Sequence, residues 1–192
     1  MRYGIWKWRG KVHWGSNRRG LISEARQESK KIKGIENMDY IKDLRKVIGH
    51  DLIVGVGCGL LLENEKGELL LQKRSDNGQW CIPGGALEPH ETYIEAVKRE
   101  IREEVGINVL NPELFGLYSG EDRVIHYPND DVVYSLAVIF RATEYEGVIS
   151  DEDSEVLEHR FFARNEIPDE LFYPDARPIR DWAAGGNDCI VK

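Results

Sequence analysis

Residues Gly84 to Ile107 read GGALEPHETYIEAVKREIREEVGI. At the helical period of 3.6 residues, Ile94, Val97, Ile101 and Val105 fall on one apolar stripe, and Glu100, Glu103 and Glu104 gather on the stripe beside it. Like charges one turn apart repel by about 0.2–0.5 kcal/mol per pair, so three carboxylates next to a core-facing edge ask for a counter-charge. A lone acidic triplet is ordinarily a solvated face, but Glu95, Lys98 and Arg102 already supply one on the opposite side. A hard divalent cation suits the acidic stripe, because carboxylate oxygens, water and substrate phosphates are what Mg²⁺ takes as ligands. Ahead of the helix, Pro83-Gly84-Gly85 is expected to form a turn whose glycines let backbone approach a ligand or metal. Pro89 is expected just before the helix start, where its missing N–H costs nothing.

The spacing is specific. Gly85, five residues, Glu91, seven residues and then Arg99-Glu100-Ile101-Arg102-Glu103-Glu104-Val105-Gly106-Ile107 resembles the Nudix box, the signature of hydrolases acting on a nucleoside diphosphate linked to another group. His90 departs from it in a small way, since many family members carry glycine just before that glutamate. The resemblance implies that Glu100 and Glu104 bind a catalytic Mg²⁺, for which Mn²⁺ could substitute. It implies too that Glu103 binds metal or orients water, that Gly85 offers its carbonyl, and that Glu91 pairs with Arg99 to hold the loop against the helix.

The 192 residues are 41% hydrophobic, enough for one domain with a real core. Cys58, Cys81 and Cys189 are odd in number and lack metal spacing, which argues against disulfides and for a reducing, cytoplasmic setting. The longest apolar run, Leu52 to Leu62, is too short to span a membrane. The net charge of −8 argues against nucleic acid as a partner, yet the average conceals two regimes. Residues 1–37 carry a net +7 with Trp6, Trp8 and Trp14, whereas residues 38–192 carry −15. Residues 1–37 are therefore expected to be a basic, Trp-rich extension, either disordered or lying upstream of a true start at Met38, and residues 38–192 the catalytic domain.

From Met38 the chain reads as ordered. Tyr40 to Ile48 has the spacing of a short helix or an extended lead-in, closed by Gly49. Ile53 to Leu62 and Leu69 to Lys73 are strand-like, with Asn64-Glu65-Lys66-Gly67 expected as a hairpin turn between them. Further strands are expected at Gln79 to Ile82, Leu114 to Ser119 and Val132 to Arg141, the last apolar enough to be central. Val156 to Phe162 is expected to close the sheet, and Asp175 to Ala184 to form a last helix opened by its aspartate. Strands with one helix in the middle and another at the end give an α+β domain. The resemblance sharpens this to a Nudix-type α/β/α sandwich around a mixed sheet.

Water attack on a phosphorus ringed by negative oxygens needs a neutralising charge and a proton acceptor. Glu103 is the first candidate base; Glu155, in the acidic loop before a strand, is the second. Arg74 or Lys73 is placed to contact phosphate and Trp80 to stack a base, although aromatic side chains more often belong to cores and exposed cations are common. Tyr118, Tyr127 and Tyr134 share that ambiguity, and His126 has no visible partner. The downstream motifs that mark ADP-ribose and dinucleoside polyphosphate subclasses are absent, their places being held by Asp122, Arg123 and Val124. The expected substrate is thus a nucleotide derivative, ADP-ribose-like or a nucleoside triphosphate, and a homodimer is left open. Two alternatives stay open: a non-catalytic nucleotide sensor using the basic arm on nucleic acid, and an isopentenyl diphosphate isomerase, for which Cys81 lies near the loop.

Overall fold

The computed structural model describes residues 40–151, 153–186 and 189–192, so the expectations for residues 1–37 lie outside the described residues. The first element, α1 (Tyr40–Ile48), has no fully buried side chain, and Arg45 ties it to the chain around it. Arg45 donates to the carbonyls of Gly49 at 3.1 Å, Asp51 at 2.6 Å and Val132 at 3.0 Å, and its Nε pairs with Asp131 at 3.1 Å.

The apolar run becomes β1 (Ile53–Leu62), which lies parallel to β8 (Val132–Ala142) with Ile53 opposite Val133 and Leu62 opposite Ala142. β4 (Gly84–Ala86) flanks β1 on its other side, antiparallel. β6 (Glu113–Tyr118) and β7 (Val124–His126) pair antiparallel with β8, and β11 (Ile190–Val191) runs parallel beside β6. The order β11-β6-β8-β1-β4 puts β8 in the centre of a mixed sheet, as its apolar sequence requires.

Successive strand residues face opposite sides, and both sides are covered. Leu60 and Leu62 pack with Val138 and Phe140 against Val97, Ile101 and Val105 of α2 (Tyr93–Glu104). Leu61 and Ile139 pack on the other side with Ile179 and Trp182 of α3 (Tyr173–Ala184). A helix on each face makes the expected sandwich.

Val156 to Phe162 does not close this sheet. As β10 (Val156–Phe162) it pairs with β2 (Leu69–Arg74), which also takes β3 (Trp80–Cys81), in a separate three-stranded sheet. The turn before β2 forms as expected: Asn64 Oδ1 accepts from the N–H groups of Lys66 at 2.9 Å and Glu68 at 3.0 Å, and Gly67 adopts φ 73°. Yet β1 and β2 share only the bridge Glu63–Leu69 before diverging, so the turn joins two sheets and makes no hairpin ladder. A further pair, β5 (Asn108–Leu110) with β9 (Glu144–Glu146), follows α2.

Both helix starts differ from the sequence expectation. Thr92 caps α2: its Oγ1 accepts from Glu95 N at 3.2 Å while Glu95 Oε2 accepts from Thr92 N at 2.7 Å, a reciprocal capping box. Pro89 therefore lies in the loop, and Glu95 does more than solvate a face. α3 begins at Tyr173 with Pro174 in its first turn, and Asp175 is free to turn inward instead of capping. Among the described residues no helix is long and apolar enough to cross a membrane.

Candidate active site

The loop into β4 and the last turn of α2 meet at Glu104. Its Oε2 accepts from Gly84 N at 2.8 Å and from Gln72 Nε2 at 3.0 Å, so both bonds fall on one oxygen and Oε1 takes neither. Burial pushes the Glu104 carboxyl up to about 7, against the pull of those two donors. Gly84 has φ 146°, and a Cβ there would collide with the Cys58 carbonyl of β1. A Cβ on Gly85 would collide with the Glu100 carboxylate, so only glycine lets the β4 backbone lie this close to that acid. Burial raises Glu100 as well, despite the neighbouring Arg99.

The counter-charge demanded by the acidic stripe is, in this structure, Arg99. It grips Glu91 in a fork, Nε to Oε2 at 3.1 Å and Nη2 to Oε1 at 2.8 Å, the pairing expected from the box. The same guanidinium reaches Glu100 at 2.8 Å, Glu103 at 3.3 Å and the Ala86 carbonyl at 3.1 Å. Glu91 Oε1 also accepts from Glu88 N at 2.7 Å, closing the loop on itself. Burial would raise the Glu91 carboxyl, but the Arg99 and Glu88 donors outweigh it and hold the group below the ordinary range. Glu103 is the most exposed of the three box carboxylates, with 59% of its side chain accessible. Among the described residues no three acidic, histidine or cysteine side chains are yet gathered about one point. The set is nonetheless all oxygen, and burial raises Glu100 and Glu104 in spite of their donors, which suits a hard cation.

Beside these acids opens a cavity of about 550 Å³. Glu104, Gly84 and Gly85 line it together with glycines of β1, and Arg123, Tyr127 and Asp175 line it as well. Asp175 is half-buried by surface yet surrounded by the walls of the concavity; burial pushes its carboxyl up to about 6, with Arg123 and the Ile82 N–H, 3.3 Å away, pulling the other way. Arg123 is only 3% exposed. Its Nε donates to the Ser135 carbonyl at 3.1 Å, and its Nη1 donates to the Pro174 carbonyl.

The remaining expected residues scatter. Arg74 lines the cavity, but Asp76 holds it in a fork at 2.9 and 2.7 Å and Phe172 lies under its guanidinium, 4.6 Å from the ring centre. Trp80 sits in the core, edge-on to Phe162 with ring centres 4.8 Å apart, so its face is not offered to a base. Tyr118 is buried with its hydroxyl donating to Asp181 at 3.1 Å, and Tyr134 accepts from Gly120 N at 3.1 Å; of the tyrosines named from sequence, Tyr127 is the one that lines the cavity. Glu155 is exposed; its backbone N–H donates to Asp153 Oδ1 at 2.7 Å and its carbonyl accepts from Ser75 N at 2.9 Å. Cys81 lies in the cavity wall, where burial raises its thiol well above the ordinary range. Gln72, Arg123 and Asp175 were not singled out from sequence. Gln72 carried one signal, a polar residue ending the run Leu69-Leu70-Leu71.

The NUDIX domain model matches residues 54–183, and the chain belongs to the Nudix hydrolase family. A MutT-like protein of Streptomyces ambofaciens is 42% identical over 84 residues, covering 44% of this chain and 48% of that one. An ADP-ribose pyrophosphatase of Methanocaldococcus jannaschii is 32% identical over 127 residues, 65% of this chain and 69% of its own. The crystal structure of a MutT NUDIX hydrolase from Burkholderia pseudomallei superposes with a TM-score of 0.57 at 26% identity, over 66% of this chain and 96% of that one. The chain thus spans about half the length of the first of these relatives.

Proposed function

We propose that this protein is a metal-dependent pyrophosphohydrolase that cleaves a phosphoanhydride bond in a nucleoside diphosphate linked to another group. The observation that carries the reading is the placement of Glu100 and Glu104, two carboxylates raised by burial, against the Gly84–Gly85 backbone at the wall of the cavity. Glu100 and Glu104, with Glu103 and the Gly85 carbonyl, would hold Mg²⁺ or Mn²⁺. When bound, the ion neutralises the diphosphate and acidifies its water.

The chain's own groups do the rest. Arg99 fixes the loop to the helix through Glu91, so the glycine backbone stands ready where a diphosphate must approach. Glu103, exposed and held only by a 3.3 Å contact to Arg99, accepts the proton of the attacking water. Arg74, at the cavity wall, exchanges its Asp76 partner for a phosphate oxygen. The cavity takes the nucleoside, with Tyr127 offering an aromatic face and Asp175 and Arg123 the polar floor. The names of the relatives, an ADP-ribose pyrophosphatase among them, support an ADP-ribose-like substrate or a nucleoside triphosphate.

A panel of nucleoside triphosphates and nucleoside diphosphate conjugates, incubated with Mg²⁺ and analysed for products, tests this directly. We expect a phosphoanhydride split that EDTA abolishes and that Glu104→Gln slows by on the order of 10²-fold, the scale of losing one preorganised electrostatic group. Turnover that survives both EDTA and that substitution overturns the proposal, as does no turnover on any member of the panel.

A further inference from the structure

The second sheet carries a row of polar side chains that no box residue explains. His159 of β10 lies directly opposite Gln72 of β2, and Gln72 directly opposite Cys81 of β3. Along β2, Leu70 packs toward α2, and Gln72, two residues on, shares that face, which is how its amide reaches Glu104 at 3.0 Å. The His159 ring is almost fully enclosed, with 2% of its side chain accessible. Its Nδ1 lies 2.6 Å from Asp151 Oδ1, which also accepts from the His159 backbone N–H at 3.0 Å. Its Nε2 lies 3.3 Å from Gln72 Oε1.

We propose that Asp151, His159 and Gln72 form a positioning relay that aims the Glu104 carboxylate at its cation; the inference rests on the reading of Glu104 as a metal ligand. The direction of the relay follows from donor chemistry. An ionised Glu104 can only accept, so Gln72 must turn its NH₂ to it and its carbonyl oxygen to His159. That carbonyl needs a donor, which His159 Nε2–H supplies, and the Asp151 carboxylate, which can only accept, takes Nδ1–H and fixes the ring from behind, so both ring nitrogens donate and the Asp151 charge balances the ring. With Gly84 N on the same Glu104 oxygen, rotation of the carboxylate is blocked and Oε1 is presented in one direction. Asp151, with 54% of its side chain accessible, is the outer end of a chain that runs from solvent to the site. None of the three touches the reacting atoms; they act through Glu104.

The test is Mn²⁺ binding to the full-length protein without substrate, followed by electron paramagnetic resonance, alongside kcat and KM. His159→Leu fills the volume without a donor and should weaken Mn²⁺ binding by about 10-fold or more, with kcat falling and KM little changed, the range typical of lost outer-shell partners. His159→Gln, which keeps a donor near the Nε2 position, should stay within about 3-fold of wild type, and Asp151→Ala should lose roughly 3-fold. A folded His159→Leu whose Mn²⁺ affinity matches wild type overturns the relay. Should that variant not fold, an Asp151→Ala protein of unchanged affinity overturns it from the exposed end. Glu104→Gln separates the two layers: if it alone weakens Mn²⁺ binding, the relay fails and the ligand reading stands, whereas unchanged binding in Glu104→Gln overturns both.

Discussion

Pro178 leaves a helix carbonyl unused, and Arg123 takes it. Pro178 lies inside α3 and has no N–H, so the carbonyl of Pro174, four residues earlier, has no partner in the helix. Arg123 Nη1 donates to that oxygen from across the cavity floor, and its Nε donates to Ser135 of β8. The proline that would weaken an isolated helix here provides the acceptor that ties α3 to the central strand, and it sets Asp175 beside the Arg123 charge. Burial lowers the Arg123 pKa, with Asp175 opposing.

Asp175 should make stability depend on pH in a definite direction. Its folded pKa, about 6, lies above the ordinary 3.8, so the folded state holds the proton more tightly. The associated stability is fully present below the ordinary value and is lost as pH rises through about 6. Asp175→Asn should therefore remove on the order of 3 kcal/mol of pH dependence between about pH 4 and 8. Urea unfolding of both proteins at the two pH values checks this, and identical slopes would refute it. Arg123→Met should cost more at pH 8, where Asp175 is ionised and loses its compensating charge, than at pH 5; at the higher pH the loss is about 3 kcal/mol.

Gly85→Ala should fold and yet fail. The added Cβ meets the end of the Glu100 side chain, which can swing away, so the melting temperature should shift little. The swing carries the carboxylate off its expected position, and kcat/KM should fall about 10- to 100-fold. A variant with wild-type turnover would show that Glu100 does not need the place it occupies.

His90 is strained in a way the box spacing hinted at. It adopts φ 76°, the left-handed region that glycine occupies without steric cost, at the position where many family members carry glycine. His90→Gly should raise stability by about 1 kcal/mol, since the left-handed conformation costs a side chain roughly 1–2 kcal/mol and the added chain freedom of glycine offsets part of the gain. A calorimetric melt that moves down instead would mean the imidazole makes a compensating contact.

The two candidate bases differ in where they sit. Glu103 stands on the acidic stripe within reach of Arg99, while Glu155 is exposed and held through its backbone. Glu103→Gln should cost about 10²–10⁴ in kcat, and Glu155→Gln no more than about 3-fold. Single-turnover rates at saturating metal would expose the reverse pattern if the loop carboxylate does the work.

The sequence by itself determined the parts whose physics is local. The α2 stripe follows from a 3.6-residue period and the centrality of β8 from an unbroken apolar run, and the Glu91–Arg99 clamp is what the resemblance to the box implies. What only the tertiary structure decided involves residues far apart in the chain. Val156 to Phe162 could pair with any open edge, and β2 was chosen because β1 was already flanked by β8 and β4. Trp80 was equally suited to stacking a base or filling a core, and the core took it because Phe162 arrived beside it. Gln72, Arg123, Asp175 and His159 carry no motif, because their roles come from what burial and cross-strand register place opposite them. Each is a polar group that must find a partner once removed from water, and those partners lie 32 residues away for Gln72 and 51 for Arg123, beyond the reach of any local pattern.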